Sequence, residues 1–194
     1  MTTTAVPAPP DPALRSAEPT LRSTLTWVAH RWPSFVAVAL ITADWGMSPA
    51  EAAETLPLLP MFYVLNTAVL RRGATWPLLA AALAFFTLLT AQRFVDPLLV
   101  MTGVAVVAGV VAIRRGAGAE ALLQLAAFAV IAVLVLVVPS VAPDVAAVML
   151  AAGWAAHGLW DLWHVARRRI VAASFAEWCC VVDVLIAVAL LTAL

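Results

Sequence analysis

The string HGLWDLWH, at residues 157–164, holds three side chains that can bind a metal ion or carry a proton. His157, Asp161 and His164 follow one another at offsets of four and three residues, which places all three on one face of a helix. Imidazole and carboxylate groups are ligands for zinc, iron and manganese. The spacing matches no narrow metal-binding signature, but its one-faced geometry predicts a site of metal-binding or proton-carrying groups.

Two further carboxylates, Glu177 and Asp183, lie in the next and last apolar segment. A short arginine loop joins the two segments, which predicts an antiparallel helical hairpin. In such a hairpin, residues at the same distance from the loop lie side by side, which places His157 beside Asp183 and Asp161 beside Glu177. Glu177 and Asp183 are six residues apart, about 120° around a helix, so they cannot both point straight at the preceding helix without a kink. At similar depths we expect Asn66 and Gln124 in the Asp161 layer and Asp44 in the His157 layer.

These layers predict two kinds of chemistry. As catalytic groups, Asp161 and Glu177 would share one proton for general acid catalysis, and Asp183 would relay protons with His157. As a metal site, His157, Asp161, His164 and Asp183 would hold a divalent ion such as zinc or iron. The alternative is structural: the groups near the arginine loop pair with arginine or reach the interface, and the deeper ones lock the bundle.

The elements that position these groups are apolar helices. The chain has 194 residues, of which 64% are hydrophobic and 11% are charged, and its mean hydropathy is +1.01. Too few polar residues remain to cover the surface of a soluble domain. The sequence therefore predicts an all-α membrane protein, a bundle of seven transmembrane helices. The predicted spans are about 33–49, 56–70, 75–92, 97–113, 119–139, 145–166 and 172–193. The alternative has six spans, with residues 33–49 as an interfacial helix.

Arginine placement predicts the orientation of the bundle. Ten of the eleven arginines precede the first span or follow an even-numbered span, and only Arg93 lies on the other side. Acidic residues dominate the opposite loops, at Glu51, Glu54, Asp96 and Asp144. By the positive-inside rule, the arginine side is cytoplasmic. We therefore expect a multi-pass protein of the cell membrane with its N-terminus inside and its C-terminus outside.

The domain organisation is simple. Residues 1–23 are rich in Pro, Ala, Thr and Ser and predict a disordered cytoplasmic tail, and residues 24–194 predict one transmembrane domain. The net charge of zero argues against nucleic acid as a partner. All basic residues are arginines, so a lysine Schiff base is excluded.

The sequence leaves three functions open. A small heptahelical protein with buried His and Asp resembles membrane metal-dependent lipid hydrolases, and acids among tryptophans resemble integral-membrane terpene cyclases; no family is assigned on either likeness. The first hypothesis is therefore a metal-dependent or acid–base enzyme on a lipid or isoprenoid substrate within the bilayer. The second is a non-catalytic membrane subunit or partner-binding protein, and the third is a proton-coupled transporter.

Overall fold

Every regular element that the structure describes is helical, as the composition predicts. The computed structural model describes residues 26, 28–29, 31–43, 47–92 and 94–193. The predicted tail, Asp44 and Arg93 lie outside these residues. The chain divides into two units, 1–32 and 33–194; in the first, Thr26, Val28 and Ala29 are helical. The helices are α1 (Trp32–Ala43), α2 (Pro49–Thr55), α3 (Leu58–Val69), α4 (Thr75–Gln92), α5 (Pro97–Arg114), α6 (Gly118–Val137), α7 (Pro143–Arg167) and α8 (Ala173–Thr192).

Proline and side-chain caps begin several of these helices. The Asp96 carboxylate accepts hydrogen bonds from the backbone N–H groups of Leu98 and Leu99, at 2.8 and 3.2 Å, and Pro97 occupies the first helical position of α5. Ser48 and Glu51 form a capping box at the start of α2. The backbone and hydroxyl donors of Ser48 lower the pKa of the Glu51 carboxyl.

Five segments are long and apolar enough to cross a membrane. Their outward faces carry exposed apolar side chains such as Leu88, Val107 and Leu159, which are 72%, 64% and 68% exposed. Such faces suit lipid rather than water. The helix α1 has only 12 residues, and α2 and α3 are separate helices, so the predicted count of seven spans is not confirmed. The five segments are Arg72–Gln92, Pro97–Arg114, Gly118–Ser140, Pro143–Arg167 and Ala173–Thr192.

The boundary between α2 and α3 has a covalent cause. Pro57 and Pro60 carry no backbone N–H, so the helical hydrogen-bond ladder loses two donors there. Leu56 and Pro57 nevertheless keep right-handed helical dihedral angles. The N–H of Leu56 donates to Ala52 at 3.1 Å, and the N–H of Met61 donates to Pro57 at 3.2 Å. Residues 49–69 therefore follow an almost continuous helical path.

The helix α3 forms the centre of the unit. It packs against α5 and α6, and its side chains are buried around most of its circumference. A helix of 12 residues that is enclosed in this way needs partners for its polar groups. Asn66 and Thr67 bond back to carbonyl oxygens one turn earlier, on Phe62 and Tyr63, at 2.9 Å each. The remaining polar side chain, the phenol of Tyr63, reaches the site described next.

Candidate metal centre

The hairpin of α7 and α8 brings the sequence-predicted groups together. These two helices pack directly on each other. A Cβ atom on Gly158 of α7 would lie 3.4 Å from the Cβ of Asp183 and 3.5 Å from the carbonyl oxygen of Cys180 on α8, which shows how closely the backbones approach. The predicted contact between His157 and Asp183 is confirmed: His157 Nδ1 lies 2.7 Å from Asp183 Oδ2.

Three groups form the cluster, namely His157, Asp161 and Asp183. The imidazole Nδ1 that contacts Asp183 also lies 3.5 Å from Asp161 Oδ2. One ligand atom from each group lies within 4.8 Å of the other two, and no other set of at least three ligating side chains does so among the described residues. All three side chains are buried, at 4%, 0% and 0% exposure. The cluster is therefore a compact set of one nitrogen and two carboxylate ligands.

Tyr63 supplies a fourth member from α3. Its phenolic O–H donates to Asp161 Oδ1 in a short hydrogen bond. The ring centroid of Tyr63 lies 5.7 Å from that of His157 and 4.4 Å from that of His164, so the phenol is wedged between the two imidazoles. Tyr63 therefore fixes one oxygen of Asp161 and leaves the other oxygen facing His157.

Each of the three ligating groups keeps one polar atom without a partner. In the described part of the chain, the buried side-chain atoms that lack a hydrogen-bond partner are His157 Nε2, Asp161 Oδ2 and Asp183 Oδ1. Leaving a buried polar group unpaired costs about 1–3 kcal/mol, and more when the group is charged. Structural networks satisfy their members. Each of the three side chains therefore has one buried atom that can accept a further partner.

The negative charge of the two buried carboxylates in the cluster also needs a partner. All described arginines are exposed, so none offers a counter-charge to the two buried carboxylates. Buried charges are costly unless they are paired. The charge must be balanced within the cluster, by protons or by a bound cation.

His164 belongs to a different network. Its Nδ1 lies 2.9 Å from the carbonyl oxygen of Trp160, to which it donates, and its Nε2 lies 3.3 Å from Gln124 Nε2 and accepts. Gln124 also donates to Glu120 at 3.1 Å and accepts from the indole N–H of Trp160 at 3.2 Å. Both imidazole nitrogens therefore have partners already, and His164 is not one of the three clustered ligands.

Glu177 lies apart from the cluster as well. Its Oε1 accepts a hydrogen bond from Ser34 Oγ of α1 at 2.7 Å, and its side chain is only half-buried. The predicted proton-sharing neighbour of Asp161 is thus replaced in the cluster by Asp183. Ser174, also in α8, accepts a hydrogen bond from the indole of Trp76 at 3.1 Å. Asp44, expected at the depth of His157, lies outside the described residues.

Sequence reasoning missed Tyr63. The available signal was that the chain contains one tyrosine, in an apolar segment, where a phenol needs a partner for its O–H. Its register relative to Asp161 was not readable, because α3 and α7 are far apart in the chain.

An open cavity of about 1060 Å³ lies elsewhere, at the acidic end of the bundle. Its lining includes Glu51, Glu54 and Asp96, and no residue of the cluster. The cluster is therefore enclosed by the helices rather than open to this cavity. Comparison of the chain with protein-family models, curated proteins and solved structures gives no match.

Proposed function

We propose that this chain is an integral membrane enzyme that binds a divalent transition metal at His157, Asp161 and Asp183 and acts on a lipid or isoprenoid substrate. The observation that carries the proposal is the buried cluster itself, in which one ligand atom from each of the three side chains lies within 4.8 Å of the other two and Asp161 Oδ2 has no hydrogen-bond partner. Networks of side chains that only lock helices together rarely leave buried polar atoms without a partner.

The distances suit a metal ion in place of a proton. In a tetrahedral site with bonds of about 2.0–2.1 Å, ligand atoms are separated by roughly 3.3 Å. The 3.5 Å between His157 Nδ1 and Asp161 Oδ2 is close to that separation. The 2.7 Å between Nδ1 and Asp183 Oδ2 is a hydrogen-bond distance and needs to open by about half an ångström. An ion would therefore replace the hydrogen bond between His157 and Asp183.

Charge balance favours a divalent ion. Two carboxylates and one neutral imidazole carry two negative charges, which a divalent cation neutralises without any protonation. One nitrogen and two carboxylate oxygens suit zinc, iron or manganese. Tyr63 would act as the outer partner of Asp161, because it holds Oδ1 and leaves Oδ2 for the metal.

Three protein ligands with a further position free are typical of a catalytic rather than a structural metal. When bound there, the ion supplies Lewis-acid polarisation of a substrate oxygen. In the absence of the ion, one proton lies in the hydrogen bond of 2.7 Å between His157 and Asp183, and ion binding would displace it. Because the cluster is enclosed by apolar helices, a substrate that partitions into the bilayer reaches it most readily.

Metal analysis of the purified protein tests this function. We expect about one equivalent of zinc, iron or manganese per chain, and a lower melting temperature in detergent after chelation, since a bound ion stabilises the folded state. Reloading with the same metal should restore the melting temperature. A chain that holds no metal and whose melting temperature does not respond to chelator would favour the non-catalytic subunit instead.

We also propose the seven-span topology, with the arginine-rich end in the cytoplasm. Residues 49–69 follow a nearly continuous helical path of about 31 Å, with Glu51 and Glu54 at its outer end and the predicted span 56–70 below them. With α1 and the five long helices, this gives seven. A reporter fused after Leu194 should then be active outside the cell and one fused after Arg115 active inside. Activity of both reporters on the same side would contradict this topology.

A further inference from the structure

Three arginine-rich loops meet at one end of the helical bundle. They are residues 71–72 after α3, residues 114–115 at the end of α5 and residues 167–169 at the end of α7. Arg72 Nη1 donates to the carbonyl oxygen of Arg168, which joins the first loop to the third. Arg115 Nη1 donates to the carbonyl oxygen of Ala68 at 2.7 Å, which joins the second loop to the end of α3. The loops therefore surround the C-terminal end of the central helix.

The positive charge of this arginine surface is not neutralised. All seven side chains are exposed, and none forms an ion pair with an acidic side chain in the part of the chain that the structure describes. Glu120, an acid at the start of α6, uses its carboxylate to accept from Gln124. The contacts of Arg72 and Arg115 are made to neutral carbonyl groups, so their charges remain uncompensated.

The arginine surface carries a feature that is typical of the depth of lipid head groups. The guanidinium carbon of Arg167 lies 4.3 Å from the ring centroid of Trp163, a cation–π contact one turn before α7 ends. Tryptophan beside arginine at a helix end is typical of the membrane interface. Guanidinium groups match the geometry of phosphate oxygens, and each basic residue near an anionic membrane strengthens the attraction to it.

We propose that the arginine surface binds the phosphate head groups of anionic phospholipids and that, on the basis of the proposed function, an anionic lipid is the substrate class of the buried centre. Asp161 lies six residues before Arg167 in α7, about 9 Å deeper along the helix axis. A lipid held by its phosphate at the surface would place the linkage between head group and chains toward the depth of Asp161.

Lipid titration of the detergent-purified chain tests the surface, with native mass spectrometry to count bound lipids. Phosphatidylglycerol should bind more tightly than phosphatidylcholine, and the preference should weaken with added salt. Arg71→Gln with Arg169→Gln removes two charges from arginines that make no described side-chain contact. We expect roughly thirtyfold weaker phosphatidylglycerol binding in this variant. The matched control, Arg71→Lys with Arg169→Lys, keeps the charge and should bind nearly as well as wild type.

Several outcomes would overturn the proposal. Equal binding of the two lipids, or unchanged binding by the glutamine variant, would show that the arginine surface does not bind anionic phospholipid. Displacement of phosphatidylglycerol by millimolar inorganic phosphate alone would identify a soluble phosphate as the ligand. The titration is paired with the metal analysis: lipid preference in a purified chain that binds no metal would overturn the proposed function but keep the surface. Metal binding without lipid preference would keep the proposed function and overturn the arginine surface as a lipid-binding site.

Discussion

The Asp161→Asn variant is expected to lose divalent-metal affinity by a factor of about a hundred to a thousand. Zinc binding worth roughly 10–16 kcal/mol over four ligands corresponds to about 3 kcal/mol for each ligand. An asparagine keeps the acceptor for the Tyr63 phenol, so the contact between α3 and α7 survives. Competition with a chromogenic chelator measures the affinity.

The same variant should be as stable as metal-free wild type, or slightly more stable. Asp161 and Asp183 are two carboxylates in one buried cluster, and removing one charge relieves their repulsion. Functional sites often retain such strain at some expense of stability. The control is Glu177→Gln, which changes the same charge on a carboxylate that bonds Ser34 outside the cluster and should leave metal affinity unchanged. A melting temperature well below wild type for Asp161→Asn, without loss of metal, would indicate a structural network.

His157→Ala and His164→Ala form a second comparison, in which two buried imidazoles on one helix face should behave differently. His157→Ala removes the nitrogen ligand and should weaken metal binding by about a hundredfold or more. His164→Ala should leave metal affinity within about threefold, because both of its nitrogens bond Trp160 and Gln124. It should instead lower stability by about 1–3 kcal/mol, because Gln124 loses its acceptor.

Chemical unfolding in detergent and metal titration separate the two effects. We expect each variant to keep a helical circular dichroism spectrum, which makes the affinities comparable. Equal loss of metal by both variants would place His164 in the centre, as the sequence alone predicts. If metal affinity is unchanged in both variants, neither imidazole binds the metal and the proposed ligand set is wrong.

The helix boundaries were predictable where the chain carries local signals. Asp96-Pro97 and Pro143 begin helices because proline suits the first turn and lacks the N–H that a preceding helix would need there. The pairing of His157 with Asp183 was also predictable, since a short loop fixes the register of adjacent antiparallel helices. Both features depend on residues near one another in the chain or on one hairpin.

The remaining contacts of the centre depend on rotation and on distant helices. Distance from the loop predicted that Asp161 lies beside Glu177. The two carboxylates of α8 point in different directions around the helix, however, so that Glu177 contacts Ser34 and Asp183 faces α7. The six-residue separation had already indicated that both carboxylates cannot face one helix. The contact between Tyr63 and Asp161 joins residues 98 positions apart, and no spacing within either helix specifies it.

Tyr63 gives the protein a built-in spectroscopic reporter, because it is the only tyrosine among 194 residues. Protein grown on tyrosine labelled with ¹³C at the phenolic carbon would yield one resonance, and that resonance would come from the group bonded to Asp161. The hydroxyl-bearing carbon senses its hydrogen-bond acceptor directly. One label would thus follow ion entry, substrate arrival or a change in helix packing at a single buried atom, without assignment of any other signal.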